Sequence, residues 1–114
     1  MMQDWNTFRD SLWERVGEYG HLSPDVMRGL MVVDGAAGKT RHLDPKVHEL
    51  IALAVAVTTR CDGCIATHAK RATDMGLTPN EIAEALGVAI SLNAGAALTY
   101  SARVLDAVAA LPKA

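Results

Sequence analysis

The sequence predicts an all-α fold of about six helices, and three observations carry that prediction. Alanine is the commonest of the 114 residues, whereas the aromatics amount to two Trp, two Tyr and one Phe. Alanine is the strongest helix former, and its small side chain lets helices approach closely. Three segments open with a capping residue followed by proline, Ser23-Pro24, Asp44-Pro45 and Thr78-Pro79, the pairing that suits a first helical turn. Apolar residues recur at three and four positions along most of the chain, and no strand pair, internal repeat, low-complexity tract or linker stands out.

Taken in order, Trp5, Phe8, Leu12 and Val16 mark one face of a first helix, which Gly17 and Gly20 help to end. A second helix is expected from Pro24 to about Asp34, with Val26, Met27, Leu30 and Met31 on one side and Gly35 to Thr40 as the loop after it. The third segment, Pro45 to about Val57, could be a buried strand on periodicity alone. Its Asp-Pro start, alanines and length favour a helix that is apolar nearly all round, central and surrounded by the others. Thr58-Thr59-Arg60 breaks the pattern. A fourth helix is expected from Cys61 to about Met75, stopped by Gly76. A fifth opens with Thr78-x-x-Glu81, a capping box, and reaches about Asn93. A sixth carries Leu98, Val104, Leu105, Val108 and Leu111, with Pro112 beyond it.

The length allows one domain, 1–114, with no room for a second independent core. Half of the residues are hydrophobic and 21% charged, the balance of an ordinary globular protein and not of a disordered one. A net charge of −2 gives no general pull toward nucleic acid or an anionic membrane. The longest apolar run, Leu50–Val57, is far shorter than a bilayer span, and the first residues lack the basic and apolar regions of a signal peptide. A cytoplasmic location is therefore expected, with no nucleic-acid or membrane partner. Ile82, Leu86, Val88, Ile90, Leu92, Leu98, Val104 and Leu105 supply more apolar surface than one small helical chain can cover, so a homo-oligomer is expected.

The chemistry concentrates at Cys61-Asp62-Gly63-Cys64. A disulfide across so short a loop constrains the unfolded chain little, so the pair is poorly placed as a staple. At the start of a helix, however, unpaired N–H groups and the positive end of the dipole stabilise a thiolate, and Arg60 adds positive charge beside it. His68 follows Cys64 by four residues, which puts thiol and imidazole on one helix face. That pairing is what nucleophilic and redox chemistry requires. If the third and fourth helices form an antiparallel hairpin, Glu49 and His68 are equidistant from the break and face each other. A carboxylate in that apolar stretch is costly unless paired. The competing reading leaves Glu49 on an exposed first turn, matching the helix dipole.

Glu49, eleven intervening residues, Cys61-x-x-Cys64, three more and then His68 resemble the signature of the alkylhydroperoxidase AhpD-like proteins of the carboxymuconolactone decarboxylase superfamily. Met75-Gly76-Leu77-Thr78-Pro79-Asn80-Glu81-Ile82 and the alanine-rich stretch after it resemble that family too, so the likeness spans about residues 43–105. The resemblance implies an all-helical fold and a homo-oligomer, commonly a trimer or hexamer. It also implies a thiol-dependent peroxidase of peroxiredoxin type serving antioxidant defence. Carried over, Cys64 attacks the peroxide, Cys61 resolves the product as a disulfide, and Glu49 and His68 relay protons. The implied partners are a hydroperoxide and an external dithiol reductant, thioredoxin-like or lipoyl-bearing, with no cofactor and no metal. Some members carry a histidine between the cysteines where this chain has Gly63, which implies a slower or differently routed proton transfer. The superfamily's lactone decarboxylases lack the cysteine pair, which counts against that activity.

Other readings remain in view. The same site could serve a disulfide oxidoreductase acting on protein or small thiols, a superfamily member without peroxidase activity, or a purely structural helical module. Cys61, Cys64 and His68 could also hold zinc, with Glu49, His48 or His42 as a fourth ligand. Gly35 to Thr40 looks like the end of a phosphate-binding loop, but Val33 stands where the motif needs glycine and a helix stands where it needs a strand. His21 and His42 read as solvated loop residues, and Lys70-Arg71 as a solvated charge pair. Trp13, Asn93 and Tyr100 read as packing or interface residues.

Overall fold

The structure, a computed structural model, describes residues 1–113. Five helices make it up: α1 (Trp5–Leu22), α2 (Pro24–Thr40), α3 (Pro45–Thr59), α4 (Asp62–Asp74) and α5 (Pro79–Ala109). The all-α class is observed, with no strand among the described residues.

The sequence signals account for most of the boundaries. Asp4 caps α1 by accepting from the Thr7 N–H, and Asp44 caps α3 by accepting from the Lys46 N–H. Thr78 and Glu81 form the complete capping box of α5, each side chain accepting from the other's backbone N–H. Ser23 makes no such side-chain bond, and Pro24 alone sets the start of α2. Helix α4 stops at Met75, after which Gly76 takes a left-handed φ of 85° that suits glycine.

Four expectations are corrected. Helix α1 passes through Gly17 and Gly20 to Leu22, which makes His21 an exposed residue of its last turn and not of a loop. Helix α2 continues through Gly35–Thr40, because glycine alone weakens a helix by only about 1 kcal/mol and Ala36 and Ala37 favour it. The two expected C-terminal helices are one continuous 31-residue helix. Asn93 does not break it, since its Nδ2 donates to the Ala89 carbonyl one turn back. Helix α3 is central in that it packs on both α4 and α5, but it is not surrounded. Glu49, Leu53 and Ala56 are buried while Ile51 and Val55 face outward.

The helices meet in single file, α2 on α1, α1 on α4, α4 on α3 and α3 on α5. The buried centre is Leu53, Ala72 and Leu77, flanked by Leu50, Ala69, Ile82 and Leu86, so it joins α3, α4 and the first turns of α5. This small core fixes the α3–α4 pair, and that pair carries the chemistry.

Candidate functional site

The turn between α3 and α4 is short. Thr58 and Thr59 complete α3 by donating their hydroxyls to the Ala54 and Val55 carbonyls one turn back. Arg60 then takes a left-handed φ of 54°, and the Cys61 N–H closes the turn on the Ala56 carbonyl at 3.0 Å. A non-glycine residue in that region costs on the order of 1 kcal/mol, strain held immediately beside the cysteines.

Cys61 is the residue that caps α4, and its Sγ accepts from the Cys64 N–H at 3.1 Å. The structure joins Cys61 and Cys64 in a disulfide with their Cα atoms 5.2 Å apart. Both are partly buried. The two sulfurs thus differ in setting. Cys61 Sγ sits at the positive end of the helix with a backbone donor aimed at it. Cys64 lies three positions further on, in the first turn of α4, on the face that carries His68 a turn later.

Across the hairpin, Glu49 Oε2 lies 2.7 Å from His68 Nδ1. Glu49 is 7% exposed and is the one buried charged residue among those described. The exposed first-turn reading of Glu49 is therefore set aside in favour of the paired one, for the reason given by its burial: a carboxylate out of water needs a partner. Where the carboxylate is ionised it can only accept, so Nδ1 donates, and in the neutral imidazole Nε2 then carries the lone pair. This is the arrangement in which a carboxylate orients an imidazole as a base.

Helix α1 supplies what the sequence did not signal. Leu12 packs on Gly63, so closely that a Cβ there would meet Leu12 Cδ2 at 2.7 Å. Trp13 Nε1 donates to Thr67 Oγ1 at 3.1 Å. The space a larger residue between the cysteines would need is therefore taken by α1. The one available clue was the glycine itself, at a position where no turn geometry demands it. Asn93, read as a packing residue, ties α5 to α3 by donating from Nδ2 to Thr58 Oγ1 at 2.9 Å. Tyr100 is exposed, with the Arg103 guanidinium over its ring. Lys70 pairs with Asp74 on the surface of α4. Among the described residues no group of three or more His, Cys, Asp or Glu side chains is placed to hold a metal ion.

An all-helical chain with a C-x-x-C pair opening one helix and a Glu–His pair bonded across the hairpin beside it defines a narrow class. The sequence pattern of the carboxymuconolactone decarboxylase family matches residues 24–107, and the chain belongs to that family. An uncharacterised protein of Haemophilus influenzae is 46% identical over 107 residues, covering 94% of this chain and 95% of the relative. One from Cupriavidus necator is 31% identical over 105 residues, 92% of this chain and 93% of that one. A carboxymuconolactone decarboxylase family protein from Legionella pneumophila, solved in its apo form, superposes with a TM-score of 0.73 at 32% identity. That match covers 90% of this chain and 92% of the neighbour. A protein from Methanobacterium thermoautotrophicum gives a TM-score of 0.66 at 32% identity, over 72% of this chain and 94% of that one.

Proposed function

We propose that this protein is a thiol-dependent peroxidase in which Cys61 and Cys64 cycle between dithiol and disulfide. The observation that carries the reading is the Glu49–His68 hydrogen bond, made across the hairpin from α3 to the helix that the cysteine pair opens. A bare C-x-x-C pair needs no buried carboxylate, whereas a thiol that must be deprotonated near neutral pH gains from an oriented base.

The cycle balances as follows. His68 Nε2 accepts the Cys64 proton, with Glu49 holding the imidazole and stabilising its charged form. The Cys64 thiolate attacks the O–O bond of a hydroperoxide, forms a sulfenic acid and releases an alkoxide that takes a proton from His68. Cys61 then displaces hydroxide from the Cys64 sulfenic acid, giving the disulfide and, with the Cys61 proton, water. The Cys64 N–H at Cys61 Sγ favours the Cys61 thiolate in this step, and again as leaving group when an external dithiol reopens the disulfide. Overall one hydroperoxide and one dithiol become one alcohol, one water and one disulfide.

The test is hydroperoxide consumption by the purified protein supplied with an excess of dithiol. Catalytic consumption that is lost in Cys64→Ser supports the reading. Reduction of a disulfide substrate at an appreciable rate with no peroxide consumption assigns the site to disulfide exchange instead. Stoichiometric zinc in the purified protein would assign the cysteines to metal binding.

A further inference from the structure

Cys64, Thr67, His68 and Arg71 share one face of α4, being spaced by three and four residues. None of the four is buried, whereas Ala66 and Ala72, which lie off this face, are. Cys64 and Arg71 are two turns apart, so they project within about 20° of each other and about 10 Å apart along the helix axis. Arg71 is exposed and makes no ion pair among the described residues. Its neighbour Lys70 is paired with Asp74. An unpaired guanidinium thus stands on the same face as the thiol, and the peroxidase cycle leaves it without a task.

Helix α1 adds an aromatic side chain between the two. Trp13 Nε1 donates to Thr67 Oγ1 at 3.1 Å, which holds the indole beside the residue midway between Cys64 and Arg71. That bond uses the one donor that tryptophan has. The residue is still 49% exposed, so what it shows to solvent is the apolar ring. From one end to the other the strip therefore offers a thiol with its base, an immobilised aromatic surface and a cation. A few polar groups placed around an apolar surface are what orients a small ligand.

Building on the peroxidase reading, we propose that the site selects hydroperoxides bearing a carboxylate at the far end of an aliphatic chain, hydroperoxy fatty acids, and that Arg71 makes the selection. The O–O group meets Cys64, the chain lies along the Trp13 ring, and the carboxylate accepts from the Arg71 guanidinium. The planar fork of arginine matches the two oxygens of a carboxylate. The carboxylate takes no part in the chemistry. Two electrons pass from the cysteine pair to the O–O bond, and the products are the hydroxy acid, water and the Cys61–Cys64 disulfide. An arginine in the last turn of α4 also suits the helix dipole. That role moves stability and leaves the choice of substrate alone, so the two roles separate by measurement.

The test compares kcat/KM for linoleic acid hydroperoxide and for its methyl ester, below their micellar concentrations and with excess dithiol. The wild type should favour the acid by roughly fivefold, the upper range for an exposed ion pair. The preference should shrink as salt is added. Arg71→Gln, an exposed change, should bring the ratio of acid to ester to one, and Arg71→Lys should restore part of it. Equal rates for acid and ester in the wild type overturn the proposal, as does a preference that survives in Arg71→Gln. An Arg71→Gln defect that appears only when dithiol is limiting assigns the arginine to the reductant and overturns it too. Cumene hydroperoxide, which has no carboxylate, keeps the two readings apart. Its consumption by the wild type, with acid and ester equal, removes this inference alone, whereas failure to consume any of the three removes the peroxidase reading and this inference with it.

Discussion

Glu49 Oε2 and His68 Nδ1 meet at 2.7 Å across the α3–α4 hairpin, with the carboxylate buried and the imidazole side chain 23% exposed. The pair is asymmetric in a useful way. Glu49 is fixed among Leu53 and its neighbours on the inner face of α3, whereas His68 reaches the surface on the face that carries Cys64. One end is anchored, and the other is open to solvent.

Replacing either member should therefore cost rate more than fold. Glu49→Gln keeps a hydrogen-bonding side chain but removes the charge that stabilises the imidazolium, and His68→Gln removes the base. Each should lower hydroperoxide turnover at pH 7 by ~10²-fold. The double variant should be little worse than the worse single one, because the two act as a unit. The losses should shrink as pH rises toward the ~8.5 of a free thiol, where deprotonation needs no base. A pH–rate profile on the single and double variants checks this, and near-normal activity of Glu49→Gln at pH 7 contradicts it.

Gly63 and Leu12 should be coupled. Gly63→Ala places a Cβ against Leu12 Cδ2 and should destabilise by about 1 kcal/mol, the lower end for overpacking, since the end of a leucine can move. In a Leu12→Ala background that penalty should vanish. Denaturant unfolding of the four proteins of the cycle measures the coupling, and additive effects would mean that α1 does not seat on the cysteine turn.

The capping box of α5 gives a pH-dependent contribution. The Thr78 backbone N–H holds the Glu81 carboxyl below its ordinary value, aided by the Thr78 side chain. Its stabilising effect is present above the ordinary glutamate range and is lost as pH falls through the lowered value, from about pH 4 downward. Thr78→Ala should cost about 1 kcal/mol near neutrality. Glu81→Gln should flatten the acid limb of stability against pH, measured by thermal unfolding between neutral and acid pH.

Because so little of the chain is buried on its own, stability should depend on concentration. The thermal midpoint should rise with protein concentration, as assembly draws the equilibrium toward the folded form. A midpoint independent of concentration over two decades would contradict the coupling of folding to association.

Much of this was legible in the sequence, and the exceptions have physical reasons. The helix starts at Asp44 and Thr78 were readable because capping chemistry is local. The Glu49–His68 contact was readable because a hairpin pivots on its turn, so equal distances along the chain become proximity. The persistence of α2 through Gly35 and of α5 through Asn93 was not, because a single weak helix former loses to the helix on either side of it. The seating of Leu12 on Gly63 was not readable either. It depends on how α1 crosses α4, and spacing along one helix says nothing about a crossing. The outward-facing Ile51 and Val55 broke the expectation of a surrounded α3 because the hydrophobicity of a helix does not say how many neighbours the fold places around it.

The most direct test of the central claim is a thiol count. The chain has two cysteines, so fully reduced protein mixed with one equivalent of hydroperoxide should lose both thiols per chain. The product should be an intramolecular Cys61–Cys64 disulfide that a mild dithiol reverses, formed ~10²-fold or more faster than oxidation of a free dithiol under the same conditions. Both thiols intact after excess hydroperoxide would show that this cysteine pair is not a peroxidase site.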